Sequence, residues 1–155
     1  GSVTAGNSAG MNDAAAAVVV MSRARAESYG LLPRLKWVGR GVSGVDPAIM
    51  GIGPVPSTKK VLSKTGMKVE DLDVIELNEA FAAQAAYVMQ ELGMDSERTN
   101  VNGSGISLGH PVGATGAIMT VKLMEELSRS DGEMGLVTMC VGGGQGVSTI
   151  FERLN

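Results

Sequence analysis

Apolar and polar positions along the chain fall into short blocks separated by glycine, proline and small polar residues. Residues 14–21 form a continuous apolar run with three successive valines, Val18 to Val20. Their β-branched side chains favour a buried strand over a helix. Ser22 is then placed to cap a short helix over 23–29, with Gly30 as its stop. Residues 35–42 predict a second strand. Asp46-Pro47 opens a turn, and Gly51, Gly53, Pro54 and Pro56 predict irregular chain up to Ser57, which is placed to cap a helix through Leu62 to Thr65 that Gly66 stops. Val69-Glu70-Asp71 leads into a strand over 73–77. A strand-to-helix junction follows at Asn78-Glu79-Ala80-Phe81-Ala82, with the helix running to about Leu92. Residues 80–89 carry no charge on any face, so the helix is predicted to be buried and to need cover on both sides. Val101 begins a short extended piece. From Ala114 the apolar residues Ile118, Val121, Leu123, Met124 and Leu127 recur at helical spacing, which predicts a helix over 114–127. Ser130-Asp131-Gly132 reads as a turn, 135–139 as a strand ending at Cys140, 142–146 as a tight turn, and 147–151 as a final strand antiparallel to it. Strands and helices that alternate through short links predict an α/β fold with a mostly parallel sheet. The first 13 residues, rich in Gly, Asn and Ser, read as a loop.

Composition narrows the class. With 155 residues the chain is long enough for one domain that buries roughly two thirds of its unfolded surface. Charged residues make up 19%, against about 25% in average globular domains, which points to more than one covered face. The net charge is −3 and no run of basic residues exceeds Lys59-Lys60, so neither nucleic acid nor a membrane surface is expected as a partner. One cysteine excludes an internal disulfide, and one histidine with one cysteine argues against a zinc site. No stretch approaches the ~20 apolar residues of a membrane span. The opening residues show no secretory signal, so a cytoplasmic location is expected, and the Asn102-Gly103-Ser104 sequon is discounted on that basis.

Candidate chemistry concentrates in 100–116, NVNGSGISLGHPVGATG. It holds the only histidine, His110, between Gly109 and Pro111, with Gly103, Gly105, Gly113 and Gly116 around it. None of the glycine pairs completes a dinucleotide fingerprint: Leu108 stands where Gly103-x-Gly105 needs a third glycine, and there is no GxxxxGK. The only cysteine, Cys140, ends a strand and opens the run Gly142-Gly143-Gly144, whose backbone N–H groups can face a thiolate or an oxyanion. Asn78 also ends a strand, and strand C-termini are where ligands gather in parallel sheets. From the residues alone, Cys140 and His110 read as a nucleophilic pair with Asn78 as orienter.

Asn78-Glu79-Ala80-Phe81-Ala82, Gly109-His110-Pro111 and Cys140-x-Gly142-Gly143-Gly144-x-Gly146 resemble three C-terminal signatures of the thiolases, in order and at matching separations. VTAGNSAGMNDAAAAVVVMS near the start and VDPAIMGIGPVP at 45–56 resemble the same family, so the likeness spans essentially the whole chain. It implies a thiolase-like fold, C-terminal half: a mixed five-stranded sheet with helices on both faces, with residues 1–13 as the end of a loop region and 14–155 as the domain. It also revises the role of the cysteine. A thiolase uses two; Cys140 matches the acid/base that moves a proton at Cα of the second acyl-CoA, while the acyl-accepting cysteine belongs to an N-terminal half. By the same resemblance, His110 activates that nucleophile and lines an oxyanion hole, Asn78 holds a water there, and the N–H of Gly142 serves a second hole. Met50, Ala80 and Phe81 match positions near the pantetheine arm. The implied partners are acetyl-CoA, CoA and the N-terminal half, in a homo-oligomer (dimer or tetramer), with no cofactor beyond the coenzyme A thioester. Condensation to acetoacetyl-CoA is expected over cleavage of long 3-ketoacyl chains. Four positions depart from the pattern: Ser104-Gly105 for Gly-Ala, Thr115 for a frequent Ser, and Ile118 for a common Arg. Ketoacyl synthases are a weaker match, since they lack the Cys140 triple-glycine loop. A stand-alone, non-catalytic domain that binds a partner or CoA is the alternative function.

Overall fold

The computed structural model describes residues 1–154. Strands β1 (Leu35–Gly44), β2 (Val74–Leu77), β3 (Met134–Val141) and β4 (Gln145–Arg153) form one four-stranded sheet in the order β1-β4-β3-β2. The helices are α1 (Arg23–Ser28), α2 (Pro54–Thr65), α3 (Ala82–Leu92), α4 (Gly105–Leu108) and α5 (Thr115–Ser130).

The sheet is mixed, and not mostly parallel as the alternation suggested. Only β2 and β3 run parallel; β3–β4 and β1–β4 are antiparallel. The reason is connection length. The crossover from β2 to β3 carries three helices, which a parallel pair needs, whereas β3 and β4 are joined by a turn too short for anything but a hairpin. Gly143 and Gly144 (φ 83° and 84°) supply the left-handed backbone of that turn.

The predicted fifth strand at 14–21 does not form. The segment is exposed and pairs with no strand among the described residues, with Val19 and Val20 85% and 87% accessible. β-branched side chains fit a pleated surface, but they need an edge to join. The outer edge of β2 is taken by the chain at 98–100: Ile75 N–H donates to the Arg98 carbonyl (2.8 Å) and Asn100 N–H to the Ile75 carbonyl (2.8 Å). The extended piece expected at Val101 therefore lies just upstream, around Thr99. Ser22 caps α1 as predicted, accepting from Arg25 N–H. Ser57 does not cap α2, which begins at Pro54. Proline's fixed φ suits a first helical turn, where the missing N–H has no partner to lose. Gly66, left-handed at φ 70°, ends that helix as expected.

Two apolar cores flank the sheet. Val61, Leu72, Ile75, Leu77, Val88 and Leu136 pack under α2 and α3 on one face, and Val74, Met119, Leu123, Leu127 and Val137 pack under α5 on the other. Helix α3 buries only one side, through Ala85, Val88 and Leu92; Ala83, Ala86 and Tyr87 on the other side are exposed. The cover expected on both sides is thus present on one.

A buried hydroxyl cluster ties α2 to the hairpin. The Ser148 hydroxyl lies 2.7 Å from Ser57 Oγ, 2.9 Å from Thr58 Oγ1 and 2.7 Å from Thr138 Oγ1, and all four residues are fully buried. One hydroxyl has one donor and two acceptor sites, so three partners saturate it. Ser148→Ala is expected to lower the unfolding free energy by about 2–3 kcal/mol, because it strands polar partners in a dry layer. Urea unfolding measures this, and a loss below about 0.5 kcal/mol would contradict the cluster's part in holding α2.

Candidate active site

Asn78 is the first residue beyond β2, and its N–H donates to the Thr138 carbonyl on β3 (3.0 Å). The residue before it is pinned by side chains instead of a further strand. Asn100 Oδ1 accepts from Leu77 N–H (2.9 Å) and Asn100 Nδ2 donates to the Leu77 carbonyl (2.8 Å), which also accepts from Ser104 Oγ (2.9 Å). Asn100 can do this from its left-handed backbone (φ 54°), which asparagine tolerates better than most residues. Asn78 is fully buried in consequence.

His110 follows Gly109, whose φ of 93° is open to glycine alone, and precedes buried Pro111. Its ring bridges two elements. Nδ1 lies 2.7 Å from Thr115 Oγ1 at the start of α5, and Nε2 lies 3.3 Å from Asn78 Nδ2. Thr115 Oγ1 donates its own proton to the Pro111 carbonyl (3.0 Å), so it must accept from Nδ1. That fixes the tautomer: Nδ1–H is the donor, and Nε2 keeps a lone pair toward the Asn78 amide. Burial lowers the His110 pKa below the ordinary imidazole value, so the ring is a neutral base at pH 7.

Cys140 sits near the end of β3 and pairs with Gly146 on β4. Leu77 pairs with Thr138, so Asn78 and Cys140 end adjacent parallel strands at one sheet edge, where neighbouring strands lie ~4.8 Å apart. The thiol is buried, which pushes its pKa up and keeps it protonated at neutral pH. No hydrogen bond joins it to His110 or Asn78 among the described residues. The direct contact in the site is therefore Asn78–His110, not the Cys–His pair that the residues alone suggested.

Gly142 lies exposed at the tip of the β3–β4 turn. Met50 is half-buried in the 3₁₀ turn Pro47–Ile52, which leads into Gly53 and packs on the hairpin. Ala80 and Phe81 precede α3 and are half-buried. One contributor escaped the sequence reading. The N-terminal loop crosses the site: Ala9 N–H donates to the Ala80 carbonyl (3.0 Å), Ser8 bridges Phe81, and His110 N–H donates to the Gly10 carbonyl (3.1 Å). Asn12 packs on Gly109, where a Cβ would come within 2.3 Å of its Oδ1. The dense Gly/Asn/Ser run at 6–12 reads as a loop within a segment that resembles the family, with no place at the site assigned to it.

The departures from the family pattern have local explanations. A Cβ on Gly105 would stand 2.7 Å from the Glu79 carbonyl, so glycine permits this close approach. Thr115 keeps the hydroxyl that His110 needs. Ile118 is half-buried, and the cation on this face of α5 comes one turn later, from Lys122. Among the described residues no three His, Cys, Asp or Glu side chains cluster as metal ligands, and no helix is long and apolar enough to cross a membrane.

A mixed sheet sandwiched by helices, with its polar residues gathered at one strand edge, defines an α/β domain whose chemistry sits outside the strand ends. Residues 31–153 match the profile of the thiolase C-terminal domain. The beta-ketothiolase BktB of Cupriavidus necator is 62% identical over 154 residues, covering 99% of this chain and 39% of the relative. The acetyl-CoA acetyltransferase of Escherichia coli is 50% identical over 155 residues, covering 100% of this chain and 39% of that protein. The crystal structure of the Bacillus anthracis acetyl-CoA acetyltransferase superposes with a TM-score of 0.97 at 53% identity, and human mitochondrial 3-ketoacyl-CoA thiolase in complex with CoA with 0.91 at 41%; each match covers 99% of this chain and 39% of the other. The chain belongs to the thiolase family. It spans about two fifths of the length of these relatives.

Proposed function

We propose that this chain is the C-terminal catalytic half of a thiolase that joins two acetyl-CoA into acetoacetyl-CoA and CoA, or runs the reverse thiolysis, in the cytoplasm. The observation that carries the reading is the contact between buried Asn78 and half-buried His110, with Nε2 left basic, one strand away from a buried thiol. In the first half-reaction a cysteine of the N-terminal half attacks the thioester carbonyl and gives its proton to His110 Nε2. The imidazolium then points an N–H at the oxyanion, beside a water held by Asn78. The departing CoA thiolate takes the Cys140 proton and leaves as CoA. The Cys140 thiolate, a stronger base for its raised pKa, removes a proton from Cα of the second acetyl-CoA. The enolate attacks the acyl-enzyme, its oxyanion facing Gly142 N–H, and the nucleophilic cysteine departs and recovers its proton from His110. Met50, Ala80 and Phe81 line the pantetheine arm. The chemistry needs no cofactor beyond the CoA thioesters. The complete enzyme is a homo-oligomer, a dimer or tetramer.

Several surfaces support a missing second half. Val18 to Val20, the outer side of α3 with Tyr87, and Leu108 and Val112 beside His110 are all exposed. Contiguous apolar patches beyond several hundred Å² are uncommon on monomers. The isolated chain is expected to self-associate and to show no thiolysis. Adding an N-terminal half that carries the nucleophilic cysteine is expected to bring thiolysis of acetoacetyl-CoA, faster than that of long 3-ketoacyl-CoAs. Light scattering and a thiolysis assay, with and without that half, test this. A monodisperse monomer that gains no activity would favour the non-catalytic binding domain, and faster cleavage of long chains would reject the acetoacetyl-CoA assignment.

A further inference from the structure

Strand β2 directs two buried polar side chains, Glu76 and Asn78, from alternate positions that share a face. Glu76 Oε2 accepts from Lys122 Nζ at 2.7 Å, with the carboxylate fully buried and the lysine side chain 18% accessible. The same ammonium donates to the Gly103 carbonyl. Among the described residues Lys122 is the only cation within ion-pair reach of Glu76. Burial raises the Glu76 pKa and Lys122 opposes that rise, while Glu126 on α5 and Glu79 beyond the strand add to it. Removing Lys122 alone would strand a buried carboxylate.

The three groups joined here belong to the three pieces of chain that hold the Asn78–His110 pair. Glu76 lies two residues before Asn78 on β2. Lys122 lies about two helical turns along α5 from Thr115, which holds His110 Nδ1. Gly103 precedes Ser104, whose hydroxyl is tied to the Leu77 carbonyl, and the chain runs from there through α4 to Gly109 and His110. We infer that Lys122 is a positioning residue of the active site: anchored by Glu76, its ammonium grips the Gly103 carbonyl and sets how the His110 loop meets Asn78. The kinetic consequence rests on the thiolase reading of the site; the geometry does not.

The rival explanation is that Lys122 only balances a buried charge, and variants of the chain assembled with its N-terminal half separate the two. Lys122→Met is expected to lower both Tm and kcat. Its Tm should fall further as pH rises from about 5 to 8, because an unpartnered Glu76 holds its proton in the folded state and stability is lost as it is forced to ionise. Glu76→Gln/Lys122→Met removes both charges, so Tm and its pH dependence should return toward wild type. With Gly103 unanchored, kcat should stay about 10- to 100-fold low while KM changes less than about threefold. Lys122→Arg keeps the charge but changes reach and donor geometry, so it should keep Tm and lose kcat severalfold. His110 is the only histidine of this chain, so labelling this chain alone with 15N reports one imidazole. In the double variant its pKa should rise toward the ordinary value as the loop loosens. Wild-type kcat in Lys122→Arg, or a double variant that recovers Tm, kcat and the His110 pKa together, would overturn the inference. An inactive wild-type assembly whose His110 signal still shifts in the double variant would support the positioning role and count against the thiolase reading instead.

Discussion

In the complete protein, Cys140→Ser is expected to cut condensation by about 10²- to 10⁴-fold, the range typical of a lost general acid–base group, while acylation of the nucleophilic cysteine is slowed far less, because CoA can depart as a thiolate without the Cys140 proton. A serine hydroxyl fits the buried site but holds its proton too tightly to serve as the base at Cα. His110→Ala is expected to impair both half-reactions, because the proton of the nucleophile has nowhere to go and the oxyanion loses a donor. A burst of label from radioactive acetyl-CoA reports acylation, and acetoacetyl-CoA formation reports condensation. Equal loss of acylation in the two variants would contradict the role given to Cys140. The pH dependence of wild-type acylation carries the same logic. The His110 pKa is lowered by burial, so the ring stays neutral over a wider range. Acylation should hold at pH values where an ordinary imidazole is already charged, and fall only as pH drops through the lowered value.

What was legible in the sequence follows from what each signal depends on. Caps and stops are local, so Ser22, Gly66 and the α5 periodicity predict elements that the structure contains. The edges at Asn78 and Cys140 were also legible, since a strand end followed by glycine or a polar residue is written in a few adjacent positions. Features that depend on partners distant in sequence were not. A valine-rich segment at 14–21 reads as a strand, but strand formation needs an edge, and residues 98–100 hold the edge of β2. Pro54 and Pro56 read as breakers until their place in a first helical turn is known. The Asn78–His110 contact joins residues 32 positions apart, and the tautomer that makes Nε2 basic depends on Thr115 and the Pro111 carbonyl together. Glu76 and Lys122 gave no sequence signal at all, because a buried charge looks like a surface charge until its neighbours are in place.

Gly146→Ala is expected to destabilise the fold by at least about 3 kcal/mol, the upper part of the range for overpacking. A Cβ on Gly146 would stand 1.9 Å from the Gly53 carbonyl oxygen and 2.1 Å from its carbon. The clash is reciprocal, since a Cβ on Gly53 would stand 2.3 Å from the Gln145 carbonyl. Backbone meets backbone here, so no side chain can swing aside, and relief requires the β3–β4 hairpin and the start of α2 to separate. That separation would carry the turn with Met50 away from the strand that pairs Gly146 with Cys140, so activity should fall along with stability. Gly142 provides the control for stability. A Cβ there meets nothing within 4 Å and its φ is not in the left-handed region, so Gly142→Ala should cost less than about 0.5 kcal/mol. Urea unfolding of both variants, followed by circular dichroism, measures the difference. Coincident midpoints would mean that the two glycines do not face each other as described.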